Sequence, residues 1–121
     1  MKYDNCVLLA DADNVCHKQR VPVPISIWRS CGGSCTANAY WWDSGIITLK
    51  DGRTAVVLVC YEQFLAWPIA RSMLSPKKPD ILIISANQWW SRHTSIPAAS
   101  EQYSLAWAVL FGLTLISATN V

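Results

Sequence analysis

Ala55-Val56-Val57-Leu58-Val59 is an unbroken apolar run with no polar alternation, and Cys60 ends it. A strand with one face in water alternates polar and apolar side chains; one that does not must be covered on both faces, as in a sheet sandwiched between layers. The runs Gly45 to Leu49 and Thr54 to Val59 flank Lys50-Asp51-Gly52-Arg53, and Asp-Gly between two β-rich runs predicts a hairpin. Pro68 suits the first turn of a helix running to about Ser75, and Pro76-Lys77-Lys78-Pro79 breaks that helix in a basic surface loop. Ile81 to Ile84 is a second fully apolar strand.

The end of the chain admits two readings. Gln102 to Val121 carries no charge, and an uncharged stretch of about 20 residues can span a bilayer. However, Ile96, Ala99, Tyr103, Ala106 and Leu110 recur at alternating steps of three and four, which places them on one helix face, with Ser100, Glu101 and Ser104 opposite. Thr94 or Ser95 can cap the start, Pro97 is tolerated in the first turn, and Gly112 stands where a C-cap belongs. Leu113 to Ala118 then reads as a short buried strand, and helix, turn and strand are preferred to a single span. Strand, helix, strand, helix, strand in this order makes two crossover units: an α/β fold with a mostly parallel sheet.

At 121 residues and 52% hydrophobic content the chain can bury one core, so a single folded unit is expected. Charged residues are only 15% and the formal charge is +2, which supports neither a direct nucleic-acid partner nor a disordered tail. The start, Met1-Lys2-Tyr3-Asp4-Asn5, does not read as a signal peptide. Five cysteines without matched spacings argue against a disulfide framework and leave at least one thiol free. Cys31-Gly-Gly-Ser-Cys35 could clip a metal or close a small loop, yet a structural zinc needs four ligands and no second pair follows, so a Gly-rich turn is preferred and no cofactor is implied. Residues 29 to 43 form the longest irregular segment, where a lid or binding loop is expected. Trp28, Trp41, Trp42, Trp89 and Trp90 stand in or beside the segments of interest, and their wide rings suit a core or an apolar pocket.

Cys60 stands at the exit of the buried strand just before a helix, where open α/β sheets present reactive groups. A thiol attacks only as thiolate, so it needs a nearby cation and a sharp turn to expose the sulfur. Lys18 is the candidate cation. A plain buried cysteine is the alternative, because free cysteines are commonly buried.

The sequence around these residues resembles the nitrilase, or carbon-nitrogen hydrolase, superfamily. Val59-Cys60-Tyr61-Glu62 is similar to the signature in which such domains, including apolipoprotein N-acyltransferase, place their nucleophile. Lys18-Gln19-Arg20-Val21-Pro22-Val23-Pro24 looks like the segment with the catalytic lysine, Ile83 to Trp90 like the stretch lining the pocket, and Ala118-Thr119-Asn120 like the end of a later strand. Cys60 to Gln63, Trp67-Pro68, Ser72-Met73-Leu74, Trp89-Trp90 and the segment from Trp107 to Gly112 resemble a conjugal-transfer branch more than the acyltransferases.

The resemblance implies a partial α-β-β-α sandwich spanning residues 1–121 and a small-molecule amide or acyl substrate. Cys60 would attack the substrate carbon, and Lys18 with the backbone N–H of Tyr61 would hold the oxyanion. Glu62 would support the lysine and substrate, and Asn87, Trp89 and Trp90 would wall the pocket. By the same resemblance the domain would sit on the periplasmic side of the inner membrane, associated through an upstream region. The superfamily's general-base glutamate lies well before its lysine, whereas the 17 residues preceding Lys18 contain no Glu. Asp4, Asp11 and Asp13 are too close in sequence to replace it, although Asp13 could sit near the lysine. The expectation is therefore a domain lacking the glutamate-bearing part and the final strands, with exposed edges that favour homo-oligomers. Three readings follow: an enzyme piece, a non-catalytic module of a plasmid-transfer apparatus, or a small membrane protein anchored by Gln102 to Val121.

Overall fold

The computed structural model describes residues 2–10, 15–24 and 36–121. Trp28, Cys31, Cys35, Asp11 and Asp13, with the expectations attached to them and to residues 29–35, lie outside these ranges. The main sheet runs β5 (Ile46–Thr48), β6 (Thr54–Val59), β7 (Ile81–Asn87), β8 (Thr114–Asn120) in spatial order. The remaining strands are short: β1 (Lys2–Tyr3) pairs parallel with β4 (Thr36–Ala37), and β2 (Cys6–Leu9) pairs antiparallel with β3 (Val15–Lys18).

The hairpin forms as the sequence predicts. β5 and β6 are antiparallel, with Ile46 opposite Val56 and Thr48 opposite Thr54. Gly52 takes φ +87° in the connecting turn, a conformation that a Cβ disfavours. The two crossovers also form: β6 pairs parallel with β7 and β7 parallel with β8, with α1 (Ala66–Met73) and α2 (Ile96–Phe111) as the connecting helices. Every residue of β6 is buried. Val56 and Leu58 pack with Leu82, Ile84, Ile69 of α1 and Ala108 of α2, while Ala55, Val57 and Val59 pack with Ile47 and Ile81 on the other face. Both helices thus cover one face, and Val7 and Leu9 of the β2–β3 hairpin pack against the other.

The uncharged stretch splits as expected into α2, a left-handed cap at Gly112 and β8. Among the described residues no helix is long and apolar enough to cross a membrane. Two details differ from the sequence reading. The inward residues of α2 are Ser100, Ser104 and Ala108, whereas Tyr103, Ala106 and Leu110 are exposed. Serine turns inward because Ser104 Oγ finds acceptors in Gln63 Oε1 at 3.0 Å and the Ser100 carbonyl at 2.9 Å, and small side chains let the helix approach closely. Nor is the Leu113–Ala118 run buried as a whole. Leu113 is, but β8 is the edge strand and Ile116 is 50% exposed. Among the described residues there is one mixed four-stranded sheet with helices on one face, without a second such layer to complete a sandwich.

Candidate active site

β6 stops at Val59, and Cys60–Phe64 continues as a 3-10 turn. Cys60 enters that turn at φ +51°, the one non-glycine residue among those described with positive φ. Left-handed backbone strains a residue with a Cβ, so the surroundings must impose it. They do so through buried polar groups. Glu62, fully buried, accepts the Val59 N–H on Oε2 at 2.9 Å and the Val21 N–H on Oε1 at 2.8 Å, and Oε1 also accepts the Arg20 N–H. Gln63 donates to the Cys60 carbonyl at 2.9 Å and meets Ser104 of α2, while its own carbonyl accepts from Trp107 Nε1 at 2.8 Å. Gln19 Nε2 donates to the Val59 carbonyl at 3.1 Å.

The elbow is thereby fastened to the segment that follows Lys18. Arg20 deepens that attachment: its buried guanidinium lies 2.9–3.3 Å from the carbonyls of Asp43, Ser44 and Pro68 and the hydroxyl of Ser72. Gly45, at φ +65°, makes room for it, since a Cβ there would stand 2.5 Å from the guanidinium carbon.

The sulfur of Cys60 is free and half-buried. Burial pushes its pKa up, the nearby backbone N–H groups of Tyr61 and Asn87 pull the other way, and the Glu62 carboxylate adds to the rise. Asn87 ends β7, and its side-chain oxygen accepts from Asn120 Nδ2 at 3.2 Å at the end of β8. The carboxyl ends of the three parallel strands thus meet at one rim. Trp89 and Trp90 stand there as exposed rings, the second donating to the Asn87 carbonyl at 3.1 Å.

Lys18 ends β3, and its ammonium pairs with Asp4 at 2.8 Å and with the Tyr40 hydroxyl at 3.3 Å. The hydrogen bond to Asp4 raises the lysine pKa, and the bonds from Lys18, Tyr40 and Asn38 hold Asp4 well below the usual carboxylate range. Asp4 thus meets the lysine, while the suggested neighbour Asp13 lies outside the described residues. The structure brings Cys60, Tyr61, Glu62 and Asn87 to one end of the sheet, fastened to Gln19–Val21, while the ammonium of the preceding Lys18 is engaged by Asp4 and Tyr40. Gln19, Arg20 and Gln63 do the positioning, and sequence reasoning assigned them no role. A buried glutamine has the same spacing as an exposed one, so no periodicity could single these out.

Cys6 and Cys16 form a disulfide across β2 and β3. No matched spacing announces it; strand pairing creates the proximity. Among the described residues no group of three or more His, Cys, Asp or Glu side chains is placed to hold a metal.

In class this is an α/β layer that delivers a cysteine at a tight strand-to-helix elbow. The chain is related to conjugal transfer protein TraB over nearly its whole length. It is 37% identical over 124 residues to the probable conjugal transfer protein TraB of Sinorhizobium fredii and 33% identical over 124 residues to the conjugal transfer protein TraB of Agrobacterium fabrum, in each case across 98% of this chain. It spans 31% and 29% of those two proteins, about a third of their length. No protein-family model matches the chain, so the superfamily expected from the motifs is not assigned by one. No solved structure matches it either.

Proposed function

We propose that these residues form the nucleophile-bearing part of a TraB-like domain that cleaves an amide or transfers an acyl group to an amine, as carbon-nitrogen hydrolases do. The observation that carries this reading is the left-handed Cys60 elbow at the end of β6, held in shape by the buried Glu62 and Gln63. In the reaction the Cys60 thiol loses its proton to a base and its sulfur bonds to the acyl carbon. The carbon-nitrogen bond breaks, the amine leaves with the proton, and water or a second amine then takes the acyl group from the thioester. The Tyr61 amide holds the developing oxyanion; such a donor typically supplies about 3 kcal/mol. Lys18 contributes its ammonium by moving off Asp4, which its exposed position permits. Glu62 holds the elbow in shape, and Asn87, Trp89 and Trp90 form the rim that meets the substrate.

The raised thiol pKa makes a base necessary. A glutamate in the part of the relatives' length that this chain does not span would supply it and complete the sandwich, at the periplasmic face of the inner membrane. The test is acylation by a p-nitrophenyl ester followed by peptide mass spectrometry. The acyl group is expected on the Cys60 peptide and absent from Cys60→Ala; equal acylation of Cys31, Cys35 and Cys60 would remove the case for a built nucleophile.

A second reading is a transfer-apparatus module that keeps the fold without turnover. The raised thiol pKa and the engagement of Lys18 by Asp4 favour it. It requires Cys60→Ala to leave plasmid transfer unchanged, and loss of transfer in that variant eliminates it.

A further inference from the structure

β2 and β3 form a two-stranded sheet separate from the four-stranded one. A hairpin of that kind is marginal by itself in water, and this one is held by Val7 and Leu9 against the main sheet and by Cys6–Cys16 within itself. The residues beside the disulfide lead directly to the elbow. Asn5 adjoins Cys6; its carbonyl accepts the Gln19 N–H at 2.7 Å, and its Nδ2 donates to Gln19 Oε1 at 2.7 Å. The Nε2 of the same glutamine donates to the Val59 carbonyl at 3.1 Å. One buried side chain thus reaches from the disulfide-tied hairpin to the residue that precedes Cys60. The next two residues continue the attachment, since the N–H groups of Arg20 and Val21 both meet the Glu62 carboxylate.

We propose that Cys6–Cys16 is a redox switch for the Cys60 elbow. Closed, the bond holds Asn5 against Gln19 and keeps the Gln19–Val21 segment docked on the elbow; open, the segment undocks. What the switch turns on is the nucleophile proposed for Cys60, and that consequence rests on that reading, whereas the docking does not depend on the chemistry there. In closing, one cysteine thiolate attacks a disulfide oxidant to form a mixed disulfide, and the second cysteine displaces the oxidant's sulfur. Two electrons and two protons pass from the cysteine pair to the oxidant, which becomes a pair of thiols; a dithiol donor reverses the exchange. Such bonds persist in oxidising compartments and are kept open in reducing ones. The acyl-accepting thiol therefore stays idle until the chain meets an oxidising environment.

The test compares the oxidised chain with the same chain reduced by a phosphine and desalted, in a Cys31→Ser/Cys35→Ser background that leaves Cys6, Cys16 and Cys60 as its cysteines. Amide hydrogen exchange and acylation of the Cys60 peptide by a p-nitrophenyl ester are both read by mass spectrometry. On reduction, exchange across Gln19–Val21 is expected to speed up at least about tenfold while β6 and β7 stay within about threefold, and Cys60 acylation to slow at least about tenfold. Reoxidation by glutathione disulfide should restore both. Cys6→Ser/Cys16→Ser should behave as the reduced chain under either condition, and Gln19→Leu should give the reduced-state acylation rate with the disulfide intact. Unchanged exchange at Gln19–Val21 overturns the proposal, as does an equal rise through β6 and β7, which would make the bond a general staple, or acylation at one rate in both states. A local rise in exchange with no acylation of Cys60 in either state keeps the switch and removes the nucleophile. If the paired serine variant does not fold, the reduced and reoxidised parent still decides.

Discussion

Cys60 is held in backbone that its own side chain opposes. Glycine suits that conformation and a β-branched residue does not, so Cys60→Gly should keep stability within about 1 kcal/mol, while Cys60→Val should lose about 2 kcal/mol. Urea unfolding followed by circular dichroism separates them, and equal losses would mean the elbow relaxes. Glu62 satisfies three backbone N–H groups in a site closed to water. Glu62→Ala leaves all three unpartnered, with an expected loss of about 3 kcal/mol or more; a loss under about 1 kcal/mol would show water replacing the carboxylate. His17 is buried with Nε2 unpartnered, and desolvation lowers its pKa from 6.5 to about 4, with the Arg20 charge acting in the same direction. Because the folded value lies below the unfolded one, its contribution is complete above pH 6.5 and is lost as pH falls toward 4, up to about 3 kcal/mol. His17→Leu should flatten that part of the stability profile, and an unchanged slope would place the titration elsewhere.

At the scale of elements, β6, its hairpin with β5, α1, β7 and α2 were legible because each depends on local pattern: an apolar run, Asp-Gly, an early proline, a glycine cap. The orientation of α2 was not. Its apolar residues fall on more than one face, and the choice is made by Gln63, a partner 41 positions away that gives Ser104 an acceptor. Ser104→Leu should therefore overpack the helix against the Cys60 turn and cost about 1–3 kcal/mol. Leu110→Ser, at 67% exposure, should stay within about 0.5 kcal/mol. Thermal unfolding of the two variants reads the difference, and the reverse ranking would restore the face expected from periodicity. The same dependence explains the site: the position of Cys60 at the end of β6 was readable, whereas Asn87 comes to the same rim only through the pairing of β6 with β7.

Across the whole molecule, the β2–β3 hairpin closes the face of the sheet that the helices leave open, and Cys6–Cys16 ties its strands together. A loop of about ten residues closed by a disulfide typically contributes roughly 2–3 kcal/mol. Reduction should lower the melting temperature by several degrees, as differential scanning calorimetry can measure, and an unchanged melting temperature would show that the hairpin holds without the bond. The buried Arg20 guanidinium has a bearing on synthesis. Its acceptors come from residues 43, 44, 57, 68 and 72, so a nascent chain lacks a full set of partners for it until α1 has emerged from the ribosome. The leading strands, made first, must wait for the middle of the chain before they can dock, and the lysine and cysteine segments take their places in one late step.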